Sequence, residues 1–328
     1  MKKKNDGRNY RILGIFYRIL RGSHFNKRNM ADVYGVDSKT VGRDIACING
    51  FLANPENPIP IQNAKVEFSR KENSYVLKNG VFLENAEVFA IMKVLLGVRC
   101  FNEKDMKRII QKFKTFTSAK DTQLLQIILD KEMYHYKGLQ VHSDCDSVIN
   151  NLWKLTSCIE EQKYISITYL KMDRSEVIKK VRPSSLMFSE YYFYLIAYDM
   201  DDSEKAKYFR VDRIRYIREH REHFRFDQKY DFNEGTLRQK NQYMFPGKNI
   251  KVTFEFTGPS VQAVLDRLPL AKVIEQRGNV SVIAAEVQDG RGLMIYLLSQ
   301  GSWVKVLSPQ SLIEDMKKEI DAMRQQYD

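Results

Sequence analysis

The stretch EYYFYLIAYD, residues 190–199, decides how the middle of the chain folds. It is an apolar run of strand length that contains four tyrosines and one phenylalanine. The period of two of a β-strand separates these side chains onto two faces. One face is rich in tyrosine: Tyr192, Tyr194, Ile196 and Tyr198. The other face is apolar: Tyr191, Phe193, Leu195 and Ala197. We therefore expect a strand whose two faces have different roles.

Short strand-like segments on both sides of this run predict a small, strongly bent β-barrel. These segments are YISITYL (164–170), VIKKVRPSSLMF (177–188) and KYFRVDRIRYI (207–217). In the last of them, Tyr208, Arg210 and Asp212 share one face, while Arg182 precedes Pro183 in the second. Tyrosine rings beside arginine forks suit a phosphorylated or nucleotide-like ligand. Periodicity alone favours the alternative, in which half-buried tyrosines line the barrel wall and the arginines form surface ion pairs.

The excess positive charge is concentrated at the start of the chain. Residues 1–80 contain 15 Lys and Arg against 7 Asp and Glu, within a net charge of +12 for the whole protein. Localised positive charge on a near-neutral body is typical of a nucleic-acid-binding head.

The segment NKRNMADVYGVDSKTVGRDIACINGFL, residues 26–52, predicts a helix-turn-helix behind a first amphipathic helix over 11–22. Asn26 and either Asp37 or Ser38 are suitable N-caps, and Gly35 permits a left-handed turn. In the first helix, five apolar residues recur at helical spacing and leave the arginines largely on the other side. The apolar set is Ile12, Ile15, Phe16, Ile19 and Leu20; the arginines are Arg11, Arg18 and Arg21.

The second helix of the motif has the composition of a recognition helix. If Val41, Ile45 and Ile48 face inward, the helical period turns a polar and cationic face outward. That face contains Ser38, Lys39, Gly42 and Arg43. Lys39 or Arg43 could contact guanine edges, whereas Ser38 and Thr40 suit the backbone. The alternative is an ordinary helical hairpin with a solvated charged face.

Two short alternating runs, AKVEFSR (64–70) and NSYVLKN (73–79), predict a hairpin wing around Lys71 and Glu72. We therefore predict a winged helix-turn-helix. Its predicted DNA contacts are Lys27, Arg28, Ser38, Lys39, Thr40, Arg43, Lys65, Arg70 and Lys71.

The rest of the chain predicts a helical connector and a C-terminal α/β module. Residues 81–145 have helical periodicity, and Asn102 followed by Asp105 resembles a cap. Residues 245–328 follow the order βαββαβ of a ferredoxin-like unit with an added helix. Ser308 and Pro309 suit the N-cap and first position of that helix, and Trp303 is expected in the core.

No catalytic, metal or cofactor site is predicted. Cys47, Cys100, Cys145 and Cys158 are scattered and are expected to be reduced and mostly buried. His220 and His223 lack further ligands, and HExxH, P-loop and GxSxG motifs are absent. No apolar run reaches the roughly 18 to 20 residues of a membrane helix, so we expect no membrane association and a cytoplasmic location.

Four motifs in order resemble the bacterial WYL-domain transcriptional regulators: ITYL (167–170), RPSSL (182–186), FYLIAYD (193–199) and YFRVDRI (208–214). Phe193, Tyr194 and Leu195 correspond to the Trp-Tyr-Leu of the family name. The resemblance implies an SH3- or Sm-like barrel that senses a ligand, in several members a nucleic acid or nucleotide, and controls the DNA-binding head. It also implies a C-terminal extension of the WCX type. The ligand contacts that it implies are Tyr169, Arg182, Tyr194, Arg210 and Arg213, to which strand parity adds Tyr208.

The sequence therefore predicts an α+β multidomain regulator. Its expected domains are a winged head (1–80), a helical connector (81–145), a WYL ligand-sensing domain (146–235) and the C-terminal module (245–328). A homodimer is expected on a double-stranded operator, with a single-stranded nucleic acid or nucleotide as effector. The alternatives are a nucleic-acid-processing enzyme and an accessory protein that binds single strands.

Overall fold

The computed structural model describes residues 4–20, 23–56, 64–78, 85–114, 119–142, 147–200, 206–225 and 234–328. The predictions for Arg21 and Cys145 lie outside these ranges. The chain divides into two compact units, Met1–Leu139 and Gln140–Asp328. The first unit contains the predicted head and connector together.

Three helices begin the first unit: α1 (Lys4–Leu20), α2 (Lys27–Tyr34) and α3 (Ser38–Leu52). The Asn26 side chain caps α2 by accepting from the Arg28 N–H at 2.9 Å. Gly35 ends α2 in the left-handed region, with φ of 62°. The Asp37 side chain caps α3 by accepting from the Thr40 N–H at 2.7 Å. The predicted caps Asn26 and Asp37 and the left-handed turn at Gly35 are therefore confirmed. The predicted bounds of the first helix, 11–22, are wrong, because α1 begins at Lys4 and ends at Leu20.

The three helices enclose an apolar core that contains Ile15, Ile19, Val41, Ile45 and Ile48. All five were predicted to face inward. The prediction for Arg11 is wrong, because its side chain is buried and forms a bidentate ion pair with Asp44 of α3. Its position explains the error: Arg11 lies four and eight residues before Ile15 and Ile19, so it shares their face of the helix.

A β-hairpin follows the helices and packs on α3. Strands β1 (Lys65–Ser69) and β2 (Ser74–Lys78) pair antiparallel, as the sequence predicted. Phe25, before α2, forms a β-bridge with Tyr75 and stacks on its ring. The Asn49 side chain of α3 donates to the Val66 carbonyl at 3.0 Å and accepts from its N–H at 2.7 Å. The hairpin is therefore fixed to the segment before α2 and to helix α3.

The connector contains three helices, α4 (Asn85–Val98), α5 (Glu103–Lys114) and α6 (Ala119–Tyr134). The Asn102 side chain accepts from the Asp105 N–H at 2.8 Å, which confirms the predicted cap. Fully buried side chains from all three helices include Val88, Met92, Met106 and Leu129. This part of the first unit is helical, as predicted.

The second unit begins with α7 (Val148–Glu160), which packs on a five-stranded antiparallel sheet. Its strands are β3 (Lys163–Leu170), β4 (Glu176–Ser189), β5 (Tyr192–Asp199), β6 (Ala206–Arg210) and β7 (Ile214–His223), in the order β6-β5-β4-β3-β7. The predicted barrel is wrong: within the described residues, β6 and β7 are the two edges and do not pair. The segment predicted as one strand over 207–217 is interrupted by a 3-10 turn, Val211–Arg213, that turns the chain from one edge to the other.

The remainder of the second unit is a short helix α8 (Glu234–Lys240) and the C-terminal module. The module contains β8 (Asn249–Phe256), α9 (Val261–Arg267), β9 (Lys272–Arg277), β10 (Val280–Gln288), α10 (Arg291–Ser299), β11 (Val304–Ser308) and α11 (Gln310–Arg324). Its four antiparallel strands have the order β11-β8-β10-β9. The predicted βαββαβ sequence of elements is therefore present.

Two residue predictions in this module are wrong. Pro309, not Ser308, is the N-cap of α11, so the helix begins one residue later than expected. Trp303 is 48% exposed and does not belong to the core. It ends a 3-10 turn before β11 and so lies outside the strand alternation that buries apolar side chains.

Within the described residues, no helix has the length and apolarity needed to cross a membrane.

Candidate nucleic-acid interface and ligand site

The exposed face of α3 contains two of the predicted DNA contacts, the cations Lys39 and Arg43. Lys39 and Arg43 are exposed and lie one helical turn apart, with Ser38 and Gly42 half-buried beside them. The Thr40 hydroxyl instead donates to the Asp37 carboxylate at 3.0 Å. Hydrogen bonds from the backbone and side chain of Thr40 lower the pKa of Asp37. Thr40 therefore has a local partner within the helix cap.

Lys27 joins the three parts of the head. Its ammonium lies 4.8 Å from the centre of the Tyr75 ring in β2, a favourable cation–π contact. A Cβ atom at Gly42 would lie 3.5 Å from the same Nζ atom. Lys27 therefore reaches from α2 across α3 to the hairpin, whereas Arg28, its neighbour, is exposed.

The predicted hairpin cations Lys65, Arg70 and Lys71 are all exposed. Its acidic residues have partners: Glu67 pairs with Lys78 at 2.6 Å, and Glu72 contacts His24 at 2.5 Å. The predicted wing is thus a cationic edge. Asn49 and Phe25, which fix this edge to the helices, were missed because their contacts are with backbone groups distant in the sequence.

In the second unit, Arg210 is the centre of the predicted ligand surface. Its guanidinium lies 3.4 Å from the centre of the Tyr192 ring. The same group donates to Asp212 through Nε at 3.1 Å and Nη2 at 2.7 Å. Asp212 is buried and Arg210 half-buried, so the charge pair is held at the edge of the sheet with one face of the guanidinium against an aromatic ring.

Tyr169 and Tyr194 lie around this pair. The Tyr169 hydroxyl accepts from the Arg210 backbone N–H at 3.4 Å, and Tyr194 is opposite Arg210 in the β5–β6 register. The Tyr192 and Tyr194 rings are 6.3 Å apart. Burial raises the pKa of Tyr194 to about 12, an effect that the nearby Arg210 charge opposes. Its hydroxyl is therefore a neutral hydrogen-bond donor at physiological pH.

The structure does not bring all six predicted ligand residues together. Tyr208 packs at the margin of an apolar cluster that contains Ile196 and Leu237 of α8, and burial raises its pKa to about 12. Arg182 lies 5.7 Å from the Tyr198 ring, opposite it in the β4–β5 register. Arg213 is half-buried in the 3-10 turn. Tyr192 and Asp212 complete the cluster instead. Strand parity had placed Tyr192 on the same face as Tyr194, but Asp212 lies in the 3-10 turn, where strand parity does not apply.

The reactive side chains of the described residues offer no competing site. Burial raises the pKa of Cys100 and of Cys158 to about 11, so both are inert thiols. Cys47 is exposed on α3, contrary to expectation. His220 hydrogen-bonds Ser166 at 2.8 Å, and His223 the Glu161 carbonyl at 2.7 Å. No group of His, Cys, Asp and Glu in the described part of the chain could hold a metal ion.

Residues 150–219 match the WYL domain family, and residues 248–324 match the WCX domain family. The chain carries a WYL domain followed by a WCX domain. The sheet from β3 to β7 therefore belongs to the WYL domain, together with the Arg210 cluster. The module from β8 to α11 is the WCX domain. Both assignments agree with the resemblance identified in the sequence.

Several solved structures resemble the chain, among them the following two. One is proteasome accessory factor B/C (PafBC) of Arthrobacter aurescens, with 15% identity and a TM-score of 0.31, over 98% of this chain and 48% of that chain. The other is a CRISPR Cas-related protein, with 16% identity and a TM-score of 0.35, over 66% of this chain and 62% of that chain. The chain thus spans less than two thirds of either. No curated protein matches the sequence.

Proposed function

We propose that this protein is a DNA-binding transcriptional regulator whose WYL domain senses a ligand. Residues 1–80 act as a winged helix-turn-helix, with α3 as the recognition helix and the β1–β2 hairpin as the wing. The observation that carries the proposal is the exposed face of α3, where Lys39 and Arg43 stand beside Gly42. The small glycine leaves room for the Lys27 ammonium beside these two cations, and cations on such a helix face bind guanine edges in the major groove.

The anchoring of the hairpin supports this assignment. Because Asn49 binds the backbone of Val66, the hairpin cations are held in a fixed relation to α3. A groove contact by α3 and phosphate contacts by Lys65, Arg70 and Lys71 can then be made together. Phosphate contacts position a protein on DNA, and base contacts specify the sequence.

The effector site of the proposed regulator is the Arg210 cluster of the WYL domain. It offers an aromatic plane, a fixed guanidinium and neutral tyrosine hydroxyls, which suits a nucleotide or a single-stranded nucleic acid. A homodimer places two recognition helices in successive major grooves, and ligand binding shifts the balance between its states. The residues of the cluster are Tyr169, Tyr192, Tyr194, Arg210 and Asp212.

The test is selection of duplex DNA from a random pool by the purified protein, followed by binding measurements on the selected sequence. We expect Lys39→Ala with Arg43→Ala to weaken binding at least about tenfold, since one good base contact contributes about 1–3 kcal/mol. The matched control removes two exposed lysines from α11, Lys317 and Lys318. Equal affinities of the two double variants would show that α3 is not the recognition helix.

Effector binding is tested separately, because it does not depend on the head. Ligands that co-purify with the protein are identified by mass spectrometry of small molecules and short oligonucleotides. Tyr192→Leu is expected to lose the captured ligand while Tyr216→Leu, at an exposed position of β7, retains it. Retention by both variants would remove the Arg210 cluster as the effector site.

A further inference from the structure

Two neighbouring cavities in the second unit share a wall formed by Arg267 and Tyr243. Their volumes are about 370 Å³ and 280 Å³. The Arg267 guanidinium lies 4.8 Å from the centre of the Tyr243 ring. The Nη2 atom of Arg267 also donates to the carboxylate of Glu190. Glu190 lies in the turn between β4 and β5 and lines the smaller cavity.

The larger cavity has the lining of a site for an aromatic ligand. Its volume lies within the about 300–1,000 Å³ of small-molecule sites. Four aromatic side chains line it: Tyr243, Phe256, Tyr296 and Trp303. Trp303 is only partly covered, and a Cβ atom at Gly258 would lie 3.1 Å from its ring. Because Gly258 has no side chain, the Trp303 indole can pack directly against the backbone at the edge of the cavity.

The charge of this lining selects an anion. Arg267 is its single charged side chain among the described residues, and the remaining polar groups are neutral, from Ser260, Ser299 and Gln300. A guanidinium has five N–H donors in a fixed fork. Since Glu190 accepts only from Nη2, other edges of the fork remain to bind a phosphate or carboxylate from the larger cavity.

We propose that this cavity, here called the WCX cavity, binds a planar aromatic anion such as a nucleoside monophosphate. The ring lies against Trp303 and Tyr243, and the anionic group binds Arg267 in competition with Glu190. This site is separate from the Arg210 cluster and goes beyond the proposed function, because it requires no DNA binding. Glu190 lies two residues before Tyr192, the first residue of β5. When the anion displaces Glu190 from Arg267, the contacts therefore change at the start of the strand that carries Tyr192 and Tyr194.

Intrinsic fluorescence provides a direct test, because the chain contains two tryptophans. Trp153 is 76% exposed on α7, so Trp153→Phe leaves Trp303 as the sole reporter. In this background we expect adenosine 5′-monophosphate to change the emission saturably. Adenosine should bind about 10- to 100-fold more weakly, because it lacks the charge-assisted contact, and inorganic phosphate alone should leave the emission unchanged. No saturable change with the monophosphate, or equal affinity for adenosine, would overturn the proposal.

Two variants test the competition for Arg267. Arg267→Gln is expected to bind the monophosphate about 10- to 100-fold more weakly, whereas Lys272→Gln, an exposed charge loss in β9, should bind as the parent does. Glu190→Gln keeps the arginine and should bind the monophosphate more tightly than the parent. Unchanged or weaker binding by Glu190→Gln would refute the competition even if Arg267→Gln fails to fold. DNA binding is not part of any readout, so failure here is distinct from failure of the regulator assignment.

Discussion

Arg210 has structural partners within the sheet in addition to its proposed contact with a ligand. It pairs with Asp212, whose carboxylate is buried, and stacks on Tyr192. Removal of one partner of a buried pair leaves an uncompensated charge and costs about 3–5 kcal/mol. We therefore expect Arg210→Ala to lower the free energy of unfolding of the second unit by roughly 3 kcal/mol, measured by urea denaturation.

Arg213→Ala is the control for this prediction. The residue lies three positions away, and the change removes the same charge from a half-buried site in the 3-10 turn. A change in the unfolding free energy within about 0.5 kcal/mol is expected. If the two variants unfold alike, the Arg210–Asp212 pair does not support the fold. Tyr192→Leu, which leaves the charge pair intact, is for this reason the better probe of ligand binding.

At this scale the sequence predicted the face of a side chain better than its partner. Strand parity placed Tyr192 with Tyr194 on one face. It also placed Arg210 with Asp212, which do pair, although Asp212 lies in a 3-10 turn and not in a strand. It could not show that Asp212 would be buried or that Tyr208 would lie against α8, since both depend on segments distant along the chain. Arg11 shows the opposite error: its helical phase pointed inward, but its charge led to the expectation of exposure.

Tyr194 should make stability depend on pH in the alkaline range. Burial raises its pKa from 10.0 to about 12 in the folded protein. Below pH 10 the hydroxyl is protonated in both states, so this group causes no pH dependence. As the pH rises from about 10 towards 12, only the unfolded state ionises and stability falls. We expect Tyr194→Phe to lose less stability than the wild type between pH 9 and about pH 11, measured as the shift of the urea midpoint.

Tyr216→Phe is the matched control, because Tyr216 is 55% exposed in the same sheet. Its midpoint should fall with pH as steeply as that of the wild type. A Tyr194→Phe variant that is as sensitive to alkali as Tyr216→Phe would mean that the Tyr194 hydroxyl is as accessible to water as an exposed phenol.

At the scale of elements, an ion pair sets how α1 meets α3. Arg11 and Asp44 are buried and bonded by two hydrogen bonds, at 2.5 Å and 3.2 Å. We expect Arg11→Ala to destabilise the first unit by about 3–5 kcal/mol, whereas Arg18→Ala, at an exposed position of the same helix, changes stability by less than about 0.5 kcal/mol. Thermal unfolding of the purified variants gives both values.

A double-mutant cycle separates the pair from the packing of the arginine stem. If the pair is the cause, Asp44→Ala should restore part of the stability lost in Arg11→Ala, since no charge then remains buried without a partner. Strict additivity of the two losses would contradict this. Because α3 is the proposed recognition helix, the single variants are also expected to bind DNA less tightly.

The elements differ in how far they could be predicted, and the reason is the range of the interactions that define them. Asn26, Gly35 and Asp37 act on backbone groups within three or four residues, so these ends of α2 and α3 could be predicted from the sequence. Closure of a barrel depends on whether two edge strands pair, and here β6 and β7 lie at opposite edges. Strand periodicity is the same in an open sheet and in a closed one, so the sequence could not decide between them.

At the scale of the whole molecule, the concentration of positive charge in residues 1–80 predicts which cations make the salt dependence of DNA binding. Affinity for duplex DNA falls with salt because counterions are released, with a slope of about 0.9 per phosphate contact on a double-logarithmic plot. Lys65, Arg70 and Lys71 are exposed on the hairpin. We expect replacement of all three by glutamine to make the slope shallower by up to about 2.7, one contact for each cation.

The control for the salt slope is a triple variant with the same loss of charge in the WCX domain, at Lys272, Lys317 and Lys318, all exposed. Both variants have the same net charge, so a difference between their slopes measures where the cations lie and not how many there are. We expect the control to keep the wild-type slope in titrations between low and physiological salt. Equal slopes for the two triple variants would mean that the salt dependence of DNA binding is determined by the net charge of the protein. The hairpin cations would then not be the phosphate contacts of a wing.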